Sequence, residues 1–336
     1  KKQRLLRIYT QDAVPHAYPA ISAVTDTGKL QIVPVTHVAM HQKYAVELLP
    51  ILHQPEAIAA AAVEKVAHGG CLCVLLNTVS QAQDTFSALR KSGFSGTLLL
   101  FHARFLAERR EEIEKQCVSL FGKDRTHRPS QAILVATQVV EQSLDVDFDF
   151  LLTAVAPMDL LLQRMGREYR HSGKPRPGQR NHPTVTILTP SQGDFQQDSA
   201  VYPACLLRQT MHLLEQKQEI LVPGEVAQLV ADAYDSSKVP QQELDAWMEN
   251  LVEAELRGAA AEQYKLGRPE KRFRPLFSQV EFDDLEQQSY LSAQTRLSPP
   301  TMRIALLSQA LYDALLEKRV ANMVPVTDLE LARAIL

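Results

Sequence analysis

The sequence has few cysteines and no pair of them at zinc-ribbon spacing. Its 336 residues include four, which are Cys71, Cys73, Cys117 and Cys205. Because no C-x-x-C occurs, a zinc ribbon is not expected. Cys71 and Cys73 alternate with apolar residues in a strand-like run, so we expect both to be buried. Free buried thiols are typical of the cytosol, and we therefore predict a cytoplasmic protein.

Long apolar runs and a strong net charge are also absent. No run approaches the ~20 residues of a transmembrane helix, so no membrane span is predicted. With 36 Lys and Arg against 39 Asp and Glu, the formal net charge is −3, and only local basic clusters can indicate a nucleic-acid partner. A content of 45% hydrophobic and 22% charged residues is that of a globular protein. The length predicts about two domains.

The groups that grip a nucleoside triphosphate and its metal are lacking as well. There is no G-x-x-x-x-G-K-[ST] phosphate loop, no DE-x-H or DE-x-D acidic box, and no His followed by Asp. His37 and His41 have the spacing of zinc ligands on a helix, but no third ligand is near, and no metal site is predicted. The first seven residues, KKQRLLR, lack the apolar segment of a signal peptide, so we expect an interior part of a longer protein or a fragment boundary.

Between about residues 54 and 190, apolar strands alternate with helical segments. Pro55 begins a helical stretch that ends at Gly69-Gly70, and Thr78 with Gln81 forms a capping box that opens the next helix. A further helix is predicted over 105–121. The predicted strands are CLCVLL (71–76), TLLLF (97–101), AILVA (132–136), FLLTAV (150–155) and TVTIL (184–188). This pattern predicts an α/β fold whose parallel sheet is covered by helices on both faces.

Polar residues follow several of these strands. Ligands of parallel sheets bind at the carboxyl ends of the strands, where mixed Arg, Asn, Thr and amide donors suit a phosphate backbone. The residues concerned are Asn77, Thr78, His102, Arg104, Thr137 and Gln138. The alternative around His102 is the start of a solvated helix. In LDVDFD (144–149) the acids alternate, and we expect them on one exposed side of a strand entry and not around a metal.

The densest basic segment spans residues 163–180, with six Lys or Arg and one Glu. Arg167 and Arg170 are three residues apart, which predicts that they share a helical face and converge on one anion. Guanidinium groups bind phosphate bidentately. Gly166 allows a close backbone approach, and Gln163 could orient a water or a phosphate oxygen. Such a pair is the arrangement of an arginine finger in phosphoryl transfer; the alternative is a solvated basic helix end.

The pattern changes beyond residue 190. Residues 200–263 are mostly helical by pattern, and residues 264–277 form a linker of net charge +4 with interleaved aromatics. This linker could bind a single nucleic-acid strand by charge and stacking, or it could be a plain connection. Residues 280–336 mix one strand candidate with helical pieces.

Four segments in order carry a family resemblance: LNTVSQAQ, FHARF, ILVATQVVEQSLDVDFD and LLLQRMGREYRH. They resemble motifs four, four-a, five and six of superfamily 2 helicases. The amino-acid sequences of these motifs are similar to those of the CRISPR-associated type I helicase-nucleases, which the Cascade surveillance complex recruits to unwind and degrade foreign DNA. The resemblance extends over about residues 17–310 and is most specific over 71–171. Glu168 and Tyr169 depart from the family, which often has apolar and His residues there.

The resemblance implies a second RecA-like domain (1–195), a helical connector with the basic linker (196–277), and part of a C-terminal accessory domain (278–336). It implies catalytic roles for Arg167, Arg170 and Gln163, with the two arginines as fingers on the γ-phosphate of ATP. It implies nucleotide contacts from Arg164, Asp145 and Gly166, and single-stranded DNA contacts from Asn77, Thr78, His102, Arg104, Thr137 and Gln138. ATP and Mg²⁺ would be held mainly by a first RecA-like domain, which with an HD nuclease has no counterpart in this sequence.

Two other interpretations stay open at the level of sequence. The chain could be a catalytically inactive RecA-like module that binds DNA or protein, because a fold alone does not establish function. It could also be an unrelated nucleotide-binding transferase, although no Gly-rich first turn is present. An upstream reading frame that encodes a phosphate loop in frame would favour the prokaryotic, cytoplasmic helicase.

Overall fold

The structure is a computed structural model, which describes residues 20–24, 30–35, 42–141, 144–171, 176–177 and 182–252. The chain divides into two compact units, residues 1–250 and 251–336, and the sheet with its helices belongs to the first. β1 (Ala20–Val24) and β2 (Leu30–Pro34) form a separate antiparallel pair. Within the described residues, no helix is both long enough and apolar enough to cross a bilayer.

A seven-stranded sheet forms the centre of the unit, in the order β5-β6-β4-β7-β8-β3-β9. Its strands are β3 (Gln42–Leu49), β4 (Gly70–Leu75), β5 (Thr97–Phe101), β6 (Gln131–Ala136), β7 (Phe150–Ala154), β8 (Thr184–Leu188) and β9 (Glu219–Val222). All neighbouring strands are parallel except β9, which pairs antiparallel with β3. The predicted parallel sheet is confirmed, and each of the five predicted strands between residues 71 and 188 forms part of it. The strand candidate of residues 280–336 lies outside the described residues.

Within the part of the chain that the structure describes, six α-helices connect or follow these strands. They are α1 (Pro55–Lys65), α2 (Val79–Lys91), α3 (Ala107–Phe121), α4 (Met158–Met165), α5 (Ala204–Glu215) and α6 (Val226–Ala233). Pro55 occupies the first turn of α1, as predicted. The capping box is also confirmed: the Thr78 side chain accepts from the backbone of Gln81, and the Gln81 side chain accepts from the backbone of Thr78.

The central strand β4 is buried along its whole length, which explains its continuous apolar pattern. Cys71 and Cys73 are fully buried free thiols, as predicted. Burial raises the pKa of the Cys71 thiol to about 12. Both thiols are therefore part of the core and not nucleophiles.

The sheet and its core continue past residue 195. β9 is an edge strand in a region for which the pattern predicts mainly helix. α5 adds Leu207 and Leu214 to the same hydrophobic core. The domain boundaries after residues 195 and 277 stay predictions.

Gly70, at the start of β4, allows a close approach that a side chain would prevent. Its φ is +105°, and a Cβ atom there would lie 2.7 Å from the ring of Pro177 and 2.8 Å from the ring of Phe150. Gly93 also has a positive φ, of +75°, but a Cβ atom there would meet nothing within 4 Å. Substitutions at the two glycines therefore distinguish the cost of backbone strain alone from the added cost of a steric clash.

We predict that Gly70→Ala lowers the free energy of unfolding more than Gly93→Ala does. Gly93→Ala should cost about 1 kcal/mol, because the left-handed backbone disfavours a Cβ atom. Gly70→Ala should cost a further ~1–3 kcal/mol, because two rings have to move. Urea denaturation of both variants measures the difference; equal costs would contradict the close packing of residue 177 on β4.

Candidate functional site

The sheet order brings together the polar residues that follow its central strands. β6, β4 and β7 are adjacent and parallel, so Thr137, Asn77 and Val155 follow them at one edge. The Asn77 side-chain amide donates to the Val155 carbonyl at 2.9 Å, which fixes two of these strand ends to each other. The residues that follow the carboxyl ends of β4, β6 and β7, which we call the carboxyl edge, therefore form one continuous structural feature, as predicted.

Arg164, on α4, is the central side chain of this edge. It is fully buried. Its guanidinium donates five hydrogen bonds, to Glu141 Oε1 (2.7 Å), Asn77 Oδ1 (3.0 Å), Thr153 Oγ1 (3.2 Å), the Ala154 carbonyl (3.0 Å) and the Tyr202 hydroxyl (3.2 Å). Because its donors point inward, the expected direct contact of Arg164 with the nucleotide does not fit this structure. Arg164 is a buried connection between loops.

Asn77 is enclosed in the same way. It is 2% exposed, its Nδ2 also donates to Asp198 Oδ1 at 2.6 Å, and its Oδ1 accepts from Arg164. The DNA contact expected of Asn77 is therefore incompatible with this arrangement, since its side chain is used internally. The Gln138 side chain donates to the Asn77 carbonyl at 2.8 Å and to the Tyr202 hydroxyl at 3.3 Å.

Asp198 is the acidic member of this buried network. It is fully buried and accepts from Asn77 and, at 2.7 Å, from Gln81 Nε2. Burial raises the pKa of its carboxyl, against the lowering effect of these two amides. The His53 ring lies 3.8 Å from its second oxygen. Two donors thus compensate an acid that is expensive to bury.

The arginine pair lies in a turn and not on a helix. α4 ends at Met165 with Gly166 as its C-cap, and Tyr169 has a positive φ of 54°. Backbone hydrogen bonds from Phe148 to the Arg167 carbonyl and from Tyr169 to the Phe148 carbonyl hold the turn. The predicted shared helical face is therefore wrong, because the helix stops before the first arginine of the pair.

Arg167 is half-buried and points along the loop that follows β6. Its guanidinium donates to the backbone carbonyls of Glu141 and Leu144. Burial and then the neighbouring Arg170 charge lower its pKa, although a guanidinium stays protonated at neutral pH. The Arg167 guanidinium is thus a positive charge whose hydrogen-bond acceptors, two backbone carbonyls, carry no charge.

Arg170 is 41% exposed and pairs with Asp145, which is 57% exposed, at 2.7 Å. The hydrogen bonds from Arg170 and then His171 hold the pKa of Asp145 below its ordinary value. Both Arg170 and Asp145 are open to solvent and can meet a ligand. Gln163, on α4, is exposed as well. A Cβ atom at Gly166 would come within 3.3 Å of the Gln163 carbonyl.

The acids that follow Asp145 are buried, which corrects the expectation of an exposed acidic side. Asp147 is fully buried and Asp149 is 3% exposed. They pair with Arg125, Arg128 and Arg176 at 2.7–3.0 Å. Burial opposes the ionisation of Asp149, but chiefly Arg128 outweighs it and lowers the pKa. Among the described residues, no group of His, Cys, Asp or Glu is arranged to hold a metal.

The other residues expected to contact DNA differ in exposure. Arg104 is exposed, and Thr78 and Gln138 are half-buried. His102 and Thr137 are 3% and 2% exposed, so neither ring nor hydroxyl presents much surface. The His102 ring stacks on Phe105 with centroids 4.3 Å apart, its Nδ1 accepts from the Arg104 backbone, and burial lowers its pKa. His102 therefore shapes the loop that carries Arg104.

Sequence reasoning missed the partners that hold this edge together. Glu141 lies inside a motif, but its pairing with Arg164 follows only from the fold. Asp198 and Tyr202 lie outside every recognised motif, and no local pattern marks them. Their contacts join residues that are 38 to 121 positions apart.

The chain is similar to CRISPR-associated proteins in sequence and in fold. Residues 68–173 match the family model described as CRISPR-associated nuclease/helicase Cas3, C-terminal. The CRISPR-associated endonuclease/helicase Cas3 of Escherichia coli is 34% identical over 68% of this chain. The crystal structure of T. fusca Cas3-ATP matches 75% of the chain with a TM-score of 0.68 and 32% identity. A CRISPR RNA-guided surveillance complex in its pre-nicking state contains a chain that matches 75% with a TM-score of 0.63 and 29% identity.

These matches cover a minor part of each relative. The chain accounts for 24% of the E. coli protein, 31% of the T. fusca chain and 33% of the chain in the surveillance complex. The likeness to T. fusca Cas3 confirms the predicted α/β, RecA-like fold. The chain belongs to the Cas3 family of CRISPR-associated nuclease/helicases and contains part of its C-terminal region.

Proposed function

We propose that this chain is the second RecA-like domain of an ATP-dependent single-stranded-DNA translocase in type I CRISPR interference. In this proposal Arg167 and Arg170 reach the γ-phosphate of an ATP that a first RecA-like domain holds. The HD nuclease and the first domain act as partners of this chain, and the Cascade surveillance complex recruits them to foreign DNA. The likeness to chains of T. fusca Cas3-ATP and of a surveillance complex supports these assignments.

One observation carries the proposal: both arginines of the turn are held by partners that a phosphate can replace. Arg167 donates to two neutral carbonyls, and a charged phosphate oxygen accepts a stronger hydrogen bond than a carbonyl does. Arg170 pairs with an exposed carboxylate, and exposed ion pairs contribute ~0–1 kcal/mol. Moving both guanidinium groups to a triphosphate therefore costs little.

The donors of this turn fit a phosphate and not a metal ion. Guanidinium groups have no acceptor atoms and bind anions. We therefore assign Mg²⁺ to the first domain, where it would neutralise phosphate charge. In this chain Arg167 and Arg170 stabilise charge on the transferring phosphoryl group. Gln163 is also exposed to solvent and would orient the attacking water.

The domain would move along DNA because the arginine turn closes on ATP and is released after hydrolysis. When ATP draws this turn toward the first domain, the carboxyl edge moves with it, because Arg164 ties α4 to the loops after β4 and β6. Arg104 lies exposed in the loop after β5 and contacts the DNA backbone. Thr78, Thr137 and Gln138 line the same edge. Hydrolysis removes the γ-phosphate and releases the turn.

The alternative function is an inactive RecA-like module that binds DNA or protein. The RecA-like fold is compatible with it, because a fold alone does not establish function. The two functions differ in one result: a helicase domain confers DNA-stimulated ATP hydrolysis on a nucleotide-binding RecA-like domain, and an inactive module does not.

We predict that Arg167→Ala lowers DNA-stimulated ATP hydrolysis by roughly 10³-fold or more, the usual effect of losing an arginine finger. The assay combines this chain with a Cas3 first RecA-like domain that carries a phosphate loop, and this chain alone should show negligible hydrolysis. Arg90→Ala is the matched control. Arg90 is exposed in the last turn of α2, which runs back from the carboxyl edge, and this variant should keep the wild-type rate. Full activity of Arg167→Ala would disprove the catalytic assignment.

We predict that Arg104→Ala weakens binding of this chain to single-stranded DNA and reduces the salt dependence of binding. One lost phosphate contact should lower the slope of log K against log salt by about 0.7. Fluorescence anisotropy with a labelled oligonucleotide at several salt concentrations measures both quantities. Arg90→Ala, in the last turn of α2 and away from the carboxyl ends of the strands, should leave the affinity and the salt slope unchanged. A slope for Arg104→Ala equal to the wild-type slope would contradict a DNA contact from this loop.

A further inference from the structure

A short segment, residues 195–203, contacts the carboxyl edge from outside the region that matches the family model. Its buried Asp198 accepts from Asn77 Nδ2 at 2.6 Å and from Gln81 Nε2 at 2.7 Å. Gln81 also closes the capping box of α2 with Thr78. Asp198 therefore fixes the loop between β4 and the start of α2.

Tyr202 contacts the same edge at a second point. Its hydroxyl accepts from Arg164 Nη2 at 3.2 Å and from Gln138 Nε2 at 3.3 Å. The Arg164 guanidinium also lies over the Tyr202 ring, 5.9 Å from its centroid. One hydroxyl thus connects α4 with the turn that follows β6.

A continuous set of hydrogen bonds leads from Tyr202 to Arg167. Arg164 contacts Tyr202 through Nη2 and the Glu141 carboxylate through Nε. The backbone amide of Arg167 in turn donates to the Arg164 carbonyl at 2.9 Å, and this contact stays when the Arg167 side chain moves to a phosphate. Only Arg164 lies between the tyrosine hydroxyl and the residue that we assign to the γ-phosphate.

We propose that Asp198 and Tyr202 are positioning residues, which hold the DNA-facing loops and the arginine turn in one fixed arrangement. This inference rests on the proposed function. Asp198 positions the loop after β4, and Tyr202 positions Arg164 and through it Arg167. DNA binding at the edge and hydrolysis at the turn are then coupled through residues that touch neither DNA nor ATP.

The decisive variant is Tyr202→Phe, which keeps the half-buried ring and removes only the hydroxyl. In the combined enzyme, we expect kcat for DNA-stimulated ATP hydrolysis to fall at least about 5-fold, the lower end of the usual range of coupling. The KM for ATP should stay within about two-fold, since the contact acts on the transition state and not on ground-state binding.

Tyr234→Phe is the matched control. The Tyr234 hydroxyl also donates to α4, to Asp159 Oδ1 at 2.8 Å, but it does not reach the Arg164 guanidinium. It should leave kcat unchanged. In the Arg167→Ala background, Tyr202→Phe should cause no further loss, because contacts that act through one residue are not additive. Equal kcat values for Tyr202→Phe and Tyr234→Phe, or an additive loss in the double variant, would overturn the proposal.

Hydrogen exchange on this chain alone tests the positioning role without ATP hydrolysis. The amides of Val140 and Glu141 donate to the carbonyls of Thr137 and Gln138 and are therefore protected. Tyr202→Phe should speed their exchange at least about 3-fold relative to Tyr234→Phe, because local opening becomes easier. If the combined enzyme hydrolyses no ATP, the proposed function fails, and exchange still decides this inference. Unchanged exchange at both amides would refute it.

Discussion

One buried guanidinium, that of Arg164, holds together the edge on which the rest of this structure depends. It joins the ends of β4 and β7, the turn after β6, helix α4 and the 195–203 segment through five hydrogen bonds. A buried cation is costly unless it is paired and its donors are satisfied. Here the Glu141 carboxylate supplies the pairing and four neutral acceptors supply the remainder. The loops must therefore keep their mutual positions, since any displacement would leave part of this charge without a partner.

The three arginines of one short segment differ because burial gives each a different role. Arg164 is enclosed and acts only on protein groups. Arg167 is half-buried and donates to carbonyls, and Arg170 is exposed beside an exposed acid. The turn that carries the last two is held by the Phe148 backbone and by the buried Asp147, which accepts from the Arg170 amide and pairs with Arg125 and Arg176. The buried groups thus hold the backbone in place, which leaves the outer guanidinium groups available for a ligand.

Local patterns predicted the parts of the fold that depend on local physics. The apolar run of β4, the Pro55 start of α1 and the Thr78 capping box follow from neighbouring residues alone. The helical face of Arg167 and Arg170 was wrong, because spacing does not reveal that α4 ends at Gly166 or that Tyr169 is left-handed. Asp145 is exposed as expected, but the expectation was wrong for Asp147 and Asp149, because their partners, at positions 125, 128 and 176, are not local. The roles of Asp198 and Tyr202 were invisible for the same reason. The family resemblance correctly indicated the RecA-like fold, whereas the burial of Arg164 and Asn77 required coordinates.

We expect Arg164 to stay buried within this domain while Arg167 and Arg170 bind the nucleotide. A crystal structure of this chain with a Cas3 first RecA-like domain and a non-hydrolysable ATP analogue tests it most directly. We expect Arg164 to keep its contacts with Glu141 and Asn77, and the guanidinium groups of Arg167 and Arg170 to lie within hydrogen-bond distance of the γ-phosphate. Arg164 on the phosphate, or Arg167 still on the carbonyls of Glu141 and Leu144 in the closed enzyme, would contradict it.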